Sequence, residues 1–490
     1  MMGKAAVVEI DYYKKASSFY EKGKYSNAIR CCNRAINKNP QHFMAYNILG
    51  IIARRQEKNG DALFFFKKSI EIEPAYWEGY NNLGETYFEI KMYDEAIACF
   101  KIAIQHNPNY AEAYYNLANT MQNKGEYDNA LMLYQKAVEI KPAYQKAYHN
   151  MGNIFGSEGF VDKALFCYRR AVEASEESIC TEAHINLSYM VLYAEGAESW
   201  KKILLSFIQN VTFPTFQKGD ILTSLAIANW IAGDTKNCLR DLSDAKEMLR
   251  HHNEYGNFKS AITYNNFLKG LILWHENNPE DKIKANKSLH FIGDSHSLTC
   301  SNKHISVASD IYKCNTHFIR GCKMWHIVDE KNSSIKVAFE RELESLSAGD
   351  IVVLTIGEID CRYDEGLFYR HRKYATDLEF EVNKLLDGYF KIICNLIKTK
   401  NIIPVVWCVP APHKEVIISI CNSFNKALFM RFIEYFNEQL VIRAKEYGIV
   451  YSDNYSITVT KDKLSDTETH LDKFHLKPST FKRAIEIALQ

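Results

Sequence analysis

The sequence predicts two kinds of fold in one chain: an α-solenoid of paired helices, followed by a three-layer α/β/α domain with a parallel sheet. A 34-residue repeat runs through the first third of the 490 residues, and a repeat of this length is typical of stacked helix pairs. Beyond residue 287, short apolar runs alternate with helical stretches, which is the pattern of parallel strands connected by helices. We therefore expect two architectures, one after the other.

Composition and charge limit the classes of function. Apolar residues make up 47% of the chain and the net charge is +1, which predicts a soluble globular protein, and the length of 490 residues predicts two or three domains. No half of the chain has an excess of Lys or Arg, and this argues against a nucleic-acid partner. No stretch approaches the ~20 apolar residues that span a bilayer. The 13 cysteines contain no C-x-x-C pair, and the first residues have no export signal, so we expect reduced thiols in a cytoplasmic protein.

Prolines and small residues define the repeat, because they keep one register through the first third of the chain. The register contains a ladder of prolines and two ladders of small residues: Pro40, Pro74, Pro108 and Pro142; Ala28, Ala62, Ala96, Ala130 and Ala164; and Ala35, Ser69, Ala103, Ala137 and Ala171. Small residues allow two helices to approach closely, and a proline ends the second helix of each pair. Glu176 stands where the next proline would fall, so the array is expected to end there.

This pattern resembles the tetratricopeptide repeat over about residues 10–179. The resemblance implies a right-handed stack of helix pairs with a concave surface that binds peptides or protein segments. We assign residues 1–179 to this array and expect a protein or peptide partner on its concave face.

The next hundred residues keep a helical period without the register. Leu222–Gly233, for example, predicts a helix that ends in a turn. We interpret residues 180–278 as a degenerate repeat or capping region. Residues 279–286 are polar and include Pro279, which favours a linker between domains. Residues 287–490 form the predicted α/β domain.

Apolar runs and amphipathic stretches divide this last domain into strands and helices. The predicted strands are Leu289–Ile292, Ile351–Ile356, Ile402–Cys408 and Ile449–Ser452, and the longest predicted helices are Asp377–Lys400 and Ser423–Tyr447. Strands that alternate with helices imply right-handed crossovers and a parallel sheet covered on both faces.

The first of these strands runs into a turn that presents Ser295 at its carboxyl end. In open α/β sheets, that edge is where ligands bind. A serine hydroxyl becomes a good nucleophile only beside a general base. His475 can be that base, because Asp472 lies three residues before it and can hold one ring nitrogen while the other faces Ser295.

Four short blocks carry a second resemblance, which covers about residues 287–490. They occur in the order Gly293-Asp294-Ser295, Gly321, Gly357-Glu358-Ile359-Asp360 and Asp472-Lys473-Phe474-His475. This order resembles the SGNH/GDSL hydrolase superfamily. The Gly-Asp-Ser-His start and the late Asp-x-x-His also look like the variant found in carbohydrate O-acyltransferases of that superfamily.

The resemblance implies a role for each matching residue. Ser295 would be the nucleophile, His475 the base and Asp472 its orienting carboxylate. The backbone N–H groups of Ser295 and Gly321 would form the oxyanion hole. We add Asp294 and His296, which flank the serine, as supporting or substrate-binding residues.

The third block departs from the family pattern Gly-x-Asn-Asp, because Ile359 replaces the asparagine. Isoleucine cannot donate a hydrogen bond to an oxyanion, and the loss of one such donor typically lowers the rate by ~10²–10³. Arg362 is a candidate replacement, since it can be held by Glu358 or Asp360 on one side of an extended segment. The same three charges can also form a structural salt bridge.

Two functions remain open at this point. The first is a serine-dependent esterase or O-acyltransferase that acts on a small acyl (acetyl) ester of a carbohydrate or glycoconjugate, with the repeats binding a protein partner. The second is a non-catalytic repeat scaffold with a degenerate SGNH-like binding domain, which Ile359 favours. We expect no cofactor and no metal, because His296, His371 and His413 lack the spacing of a metal site.

Overall fold

The structure of the protein is a computed structural model. It describes residues 2–174, 181–250, 259–279, 285–357, 359–362, 366–418, 423–460, 462, 464–472 and 475–490. The chain divides into two compact units. The first contains Met1–Ile154 and Arg169–Glu176, and the second contains Phe155–Tyr168 and Glu177–Gln490. None of the helices in the described residues is long and apolar enough to cross a bilayer.

Ten helices make up the repeats. They are α1 (Met2–Glu21), α2 (Tyr25–Lys38), α3 (Phe43–Arg55), α4 (Asn59–Ile72), α5 (Trp77–Glu89), α6 (Tyr93–His106), α7 (Ala111–Asn123), α8 (Tyr127–Ile140), α9 (Gln145–Ser157) and α10 (Val161–Glu173). In the first four pairs the second helix ends two residues before a proline, for example α2 before Pro40 and α6 before Pro108. A residue that precedes proline avoids the helical conformation, which explains the stop. The helical solenoid predicted for this part is confirmed.

The small-residue ladders lie where the helices of a pair meet. Their members are buried, and Ala28, Ala62 and Ala96 have no exposed surface. A Cβ atom added to Gly50 would lie 2.6 Å from the ring of Phe66. The repeat therefore requires small side chains for close packing and not for helix propensity.

Among the residues that the structure describes between the repeats and the sheet, five further helices are present. They are α11 (Thr181–Glu195), α12 (Ala197–Asn210), α13 (Thr215–Ile231), α14 (Thr235–Leu249) and α15 (Lys259–Asn277). All five belong to the second compact unit, together with the α/β domain. The sequence placed domain boundaries at residue 179 and at residues 279–286. The two compact units of the structure instead divide within the fifth repeat, where residues 155–168 belong to the second unit. Most of the expected linker lies outside the described residues.

The C-terminal part is a six-stranded mixed sheet with helical connections. Its elements are β1 (Lys287–Gly293), β2 (His304–Val307), β3 (Asp310–Phe318), α16 (Met324–Val328), α17 (Ser334–Glu344), β4 (Ile351–Thr355), α18 (Gly366–Tyr374), α19 (Leu378–Lys400), β5 (Ile403–Trp407), α20 (Lys414–Ile418), α21 (Ser423–Glu446), β6 (Val450–Ser452), α22 (Asn454–Thr458) and α23 (Pro478–Leu489). The strand order is β2-β3-β1-β4-β5-β6. The four predicted strands correspond to β1, β4, β5 and β6, and both long predicted helices are present as α19 and α21.

The prediction of a wholly parallel sheet is wrong at one edge. β2 pairs antiparallel with β3, whereas β3, β1, β4, β5 and β6 are parallel to one another. A two-residue turn at Ala308 and Ser309 joins the hairpin, and Ala308 has a φ of 53°. The turn lacks the Asn-Gly or Asp-Gly pair that usually marks a hairpin, so no signal in the sequence indicated it.

Helices cover both faces of the sheet. Leu289 and Phe291 of β1 pack with Phe481 and Ile485 of α23 in one apolar cluster. Ile292 points to the opposite face and has no exposed surface either. Successive residues of a strand face opposite sides of the sheet. Because Phe291 and Ile292 are both buried, helices must cover both sides.

Candidate functional site

Ser295 lies at the carboxyl end of the central strand β1. It begins a short 3-10 helix, Ser295–Leu298, and is 4% exposed. The turn depends on Gly293, whose φ is 155° and whose missing Cβ would lie 2.6 Å from the carbonyl oxygen of Thr355. Only glycine fits between two paired strands in this conformation. The strand and turn inferred from the sequence are therefore present.

Asp472 and His475 form a hydrogen-bonded pair in the loop before α23. His475 Nδ1 lies 2.9 Å from both carboxylate oxygens of Asp472, and the His475 amide lies 3.0 Å from Oδ1. A carboxylate at Nδ1 fixes the proton on that nitrogen, so Nε2 carries the lone pair. Nε2 is buried and has no hydrogen-bond partner among the described residues. This is the state required of a general base.

The fold brings this loop to the end of β1. The rings of His296 and His475 have centroids 5.3 Å apart, at an angle of 40°. His296 directly follows Ser295 and is also buried. The base predicted from the end of the chain and the neighbour of the predicted nucleophile are therefore in ring contact.

Two further imidazoles lie beside this pair. His470 and His413 have ring centroids 5.6 Å apart. Burial lowers the pKa of His470 to about 3, and the charges of His413, His296 and His475 act in the same direction. Burial also lowers the pKa of His413. In the described residues, no three His, Cys, Asp or Glu side chains are arranged to hold a metal ion.

Asp294 is partly buried and lies at the centre of a polar network. It accepts a short hydrogen bond from the Tyr264 hydroxyl. Burial raises the pKa of Asp294, while that hydrogen bond, the charges of Arg362 and Arg320 and the amide of Gly321 act to lower it. Gly321, whose N–H is expected in an oxyanion hole, therefore lies close to this carboxylate. Gly321 has a φ of 72°.

The third block is described in part. Glu358 and the side chain of Ile359 lie outside the described residues. Asp360 is fully buried and accepts from the Met324 amide at 2.7 Å, so it caps α16. Burial raises the pKa of Asp360 to about 7. The charge of Arg362 acts on Asp294 and Tyr264, beside the turn that carries Ser295.

Sequence reasoning missed Arg320, a buried cation that joins the helices to the site. Its guanidinium donates to the Tyr189 hydroxyl and lies 3.6 Å from Asp220. It also lies 4.7 Å from the ring centroid of Tyr189 and 5.5 Å from that of Tyr264. Its position directly before Gly321 was the one available signal.

Comparisons with known proteins identify the repeats. Residues 13–78, 77–110, 99–132, 123–159 and 145–178 match family models described as tetratricopeptide repeat or TPR repeat. These matches lie within the predicted array. No curated protein matches the chain. The N-terminal part is therefore a tetratricopeptide-repeat array, a type of module that binds peptides or proteins.

Several solved structures are similar to part of the chain. MamA is 29% identical and covers 33% of this chain and 94% of its own, with a TM-score of 0.30. YrrB, described as a TPR protein with an unusual peptide-binding site, is 23% identical and covers 36% of this chain and 91% of its own, with a TM-score of 0.31. TTC0263, a thermophilic TPR protein of Thermus thermophilus, is 22% identical. The match covers 38% of this chain and 99% of TTC0263, with a TM-score of 0.33.

Proposed function

We propose that the second unit is a serine-dependent esterase or O-acyltransferase of the SGNH/GDSL type, and that the repeats recruit its protein partner or protein-borne substrate. One observation carries the proposal: the Asp472–His475 pair, whose open Nε2 lies in a ring that contacts the neighbour of Ser295. A carboxylate, an imidazole and a serine in this order are the parts of an acyl-transfer site.

The reaction would proceed in two steps. The Ser295 hydroxyl attacks the acyl carbonyl and gives its proton to His475 Nε2, while Asp472 stabilises the imidazolium. Collapse of the tetrahedral intermediate breaks the ester C–O bond, and the leaving alcohol takes the proton from His475. Water or an acceptor hydroxyl then gives a proton to His475 and attacks the acyl carbonyl, and the Ser295 oxygen leaves with that proton from His475.

The oxyanion formed in each step needs hydrogen-bond donors. The backbone N–H of Ser295 is one. The N–H of Gly321 would be a second, and Arg362 would be a third, in place of the side-chain donor that Ile359 lacks. The four neighbouring imidazoles make the surroundings polar, which fits an oxygen-rich carbohydrate or glycoconjugate ester better than a lipid ester. Cys167, Cys238 and Cys408 are buried thiols, which fits a reducing, cytoplasmic compartment.

An active-site probe tests the proposal. A fluorophosphonate should label the full chain once, at Ser295, and the protein should hydrolyse p-nitrophenyl acetate. Ser295→Ala and His475→Ala should remove labelling and lower turnover by roughly 10⁴–10⁶. Arg362→Ala should lower turnover by ~10².

Matched variants control for loss of structure. Ser301→Ala removes another buried serine, and His371→Ala removes a half-buried histidine whose Nδ1 contacts the Thr376 carbonyl. Both should label like the wild type. A folded wild-type protein that neither labels nor hydrolyses any ester would support the second candidate, a non-catalytic scaffold. Ile359, which leaves the site one oxyanion donor short, is the observation that favours that candidate.

A further inference from the structure

Helix α15 lies outside the predicted α/β domain, yet two of its aromatic residues contact the candidate site. The ring of Phe267 stacks on the imidazole of His475, with centroids 3.8 Å apart and planes 19° from parallel. The hydroxyl of Tyr264 donates to Asp294. No residue of α15 belongs to the four sequence blocks that suggested the site.

The spacing along the helix explains why both contacts occur together. Tyr264 and Phe267 are three residues apart, and Leu268 and Leu271 continue the same face. All four are buried. A Cβ atom added to Gly270 would lie 3.5 Å from Leu471, in the loop that carries the base. One face of α15 therefore packs against both the turn after β1 and the loop before α23.

The stacking supplies a constraint that the carboxylate cannot. Asp472 bonds one edge of the imidazole, at Nδ1. A hydrogen bond at one edge leaves the ring free to rock about that edge. A flat aromatic face against the ring fixes its plane, and this in turn fixes the direction of the Nε2 lone pair. Placement of a base within a fraction of an ångström is worth large factors in rate.

We infer that α15 contributes to the candidate site, and that its residue Phe267 is a positioning residue that holds the imidazole of His475 in its plane. The inference rests on the proposed function for its catalytic consequence, but the placement of His475 is a structural claim. Phe267 acts through His475 and does not touch the reacting atoms. A helix from before the sheet thus completes a site assigned to the last two hundred residues.

The simpler alternative is that Phe267 is an ordinary core residue. In that case, any apolar side chain of similar volume would serve, and its loss would lower stability without a specific effect on His475. Leucine has similar volume but no flat face, whereas tyrosine keeps the face. The pair Phe267→Leu and Phe267→Tyr therefore separates the two interpretations.

The first measurement uses p-nitrophenyl acetate and the full chain. Phe267→Leu should lower kcat roughly 10- to 100-fold and leave KM unchanged, because it displaces the base and removes no substrate contact. Phe267→Tyr should restore kcat to within about threefold of the wild type. Phe390→Leu is the matched control, because Phe390 is equally buried but stacks on Tyr447. It should leave both constants unchanged.

The second measurement needs no activity. Hydrogen–deuterium exchange at histidine Cε1, read by mass spectrometry, reports the exposure of each ring. Exchange at His475 should rise several-fold in Phe267→Leu and stay at the wild-type level in Phe267→Tyr and Phe390→Leu. Exchange at His371 should be the same in all four proteins.

The two measurements distinguish the two possible failures. If the wild type has no esterase activity but His475 exchange rises in Phe267→Leu, the proposed function is wrong and the positioning of His475 by α15 is right. Unchanged exchange and unchanged kcat in Phe267→Leu would overturn the inference. If the leucine and tyrosine variants lose kcat to a similar extent and His475 exchange does not change, Phe267 is an ordinary core residue and the inference is wrong.

Discussion

The repeat array and the second unit are both rich in helices, but their polar contacts join very different parts of the chain. In the array, amide hydrogen bonds connect one repeat to the next: Asn82 to Asn47, Asn116 to Asn81 and Asn150 to Asn119. In the second unit, Tyr193 donates to the Arg320 carbonyl and Trp230 donates to that of Leu298. The first set joins adjacent repeats, with separations of 35, 35 and 31 residues, whereas the second set joins residues 127 and 68 positions apart.

This difference predicts different responses to damage. A repeat array is stabilised by contacts between neighbours, so a change in one repeat has a local effect. The second unit is held by contacts between distant residues, so removal of one segment should affect all of it. Four changes test this contrast, in order of decreasing effect.

The largest effect is expected from truncation. A fragment of residues 287–490 should aggregate or unfold, because it loses α15 and leaves the faces that contact Tyr264, Phe267 and Trp230 uncovered. A fragment of residues 155–490, which starts where the second unit starts, should remain folded. Circular dichroism and size-exclusion chromatography of both fragments measure this. A soluble, monomeric 287–490 fragment with native α/β content would contradict the contrast.

The second effect concerns the buried arginine. Arg320→Met should lower the free energy of unfolding by about 3–5 kcal/mol, because Asp220 then stays buried without its partner charge. Denaturant melts of the full chain measure the loss. Lys136→Met is the control, since Lys136 pairs with Glu139 on the exposed surface of the array, and it should leave the melt unchanged. Equal effects for the two substitutions would remove the special role of Arg320.

The third effect belongs to the array. Gly50→Ala should destabilise its own repeat by about 1–3 kcal/mol, because the new Cβ would overlap the ring of Phe66. Gly60→Ala, in the facing helix, meets nothing within 4 Å and should stabilise it by up to about 1 kcal/mol. Backbone hydrogen exchange should locate both changes in residues 43–72. A change that spreads to β1 would show that the array is not local in its response.

The fourth effect is a pH dependence, which is the smallest of the four over a single pH unit. Burial raises the pKa of Asp360 from 3.8 to about 7, so the folded protein binds this proton more tightly than the unfolded chain. The Asp360 carboxyl group therefore contributes most to stability below pH ~4, where it is protonated in both states. This contribution falls as the pH rises to about 7, with a slope of at most ~1.4 kcal/mol per pH unit. Asp360→Asn should remove this slope from denaturant melts between pH 4 and 8. If the free energy of unfolding depends on pH in the same way for the wild type and Asp360→Asn, Asp360 does not titrate between pH 4 and 8.

The sequence predicted most of the secondary structure, because each signal was local. The prolines marked the helix ends in the array, and the apolar runs marked four of the six strands. The hairpin of β2 and β3 was missed because its turn at Ala308 has no glycine. The linker at 279–286 was inferred from its polarity and from Pro279, and neither feature indicates which helices pack on which sheet.

The sequence also determined the chemistry of the candidate site. Ser295 and Asp472-x-x-His475 could be proposed as candidates because a strand, a tight turn and a three-residue spacing are properties of short segments. The tertiary structure decided the environment of these residues: Phe267 on the face of His475, Tyr264 and Arg320 at Asp294, His470 among the imidazoles, and Asp360 as the cap of α16. These partners come from distant segments, and no local pattern records which distant segments meet. Burial then sets the ionisation of each group, and burial exists only after the chain has folded.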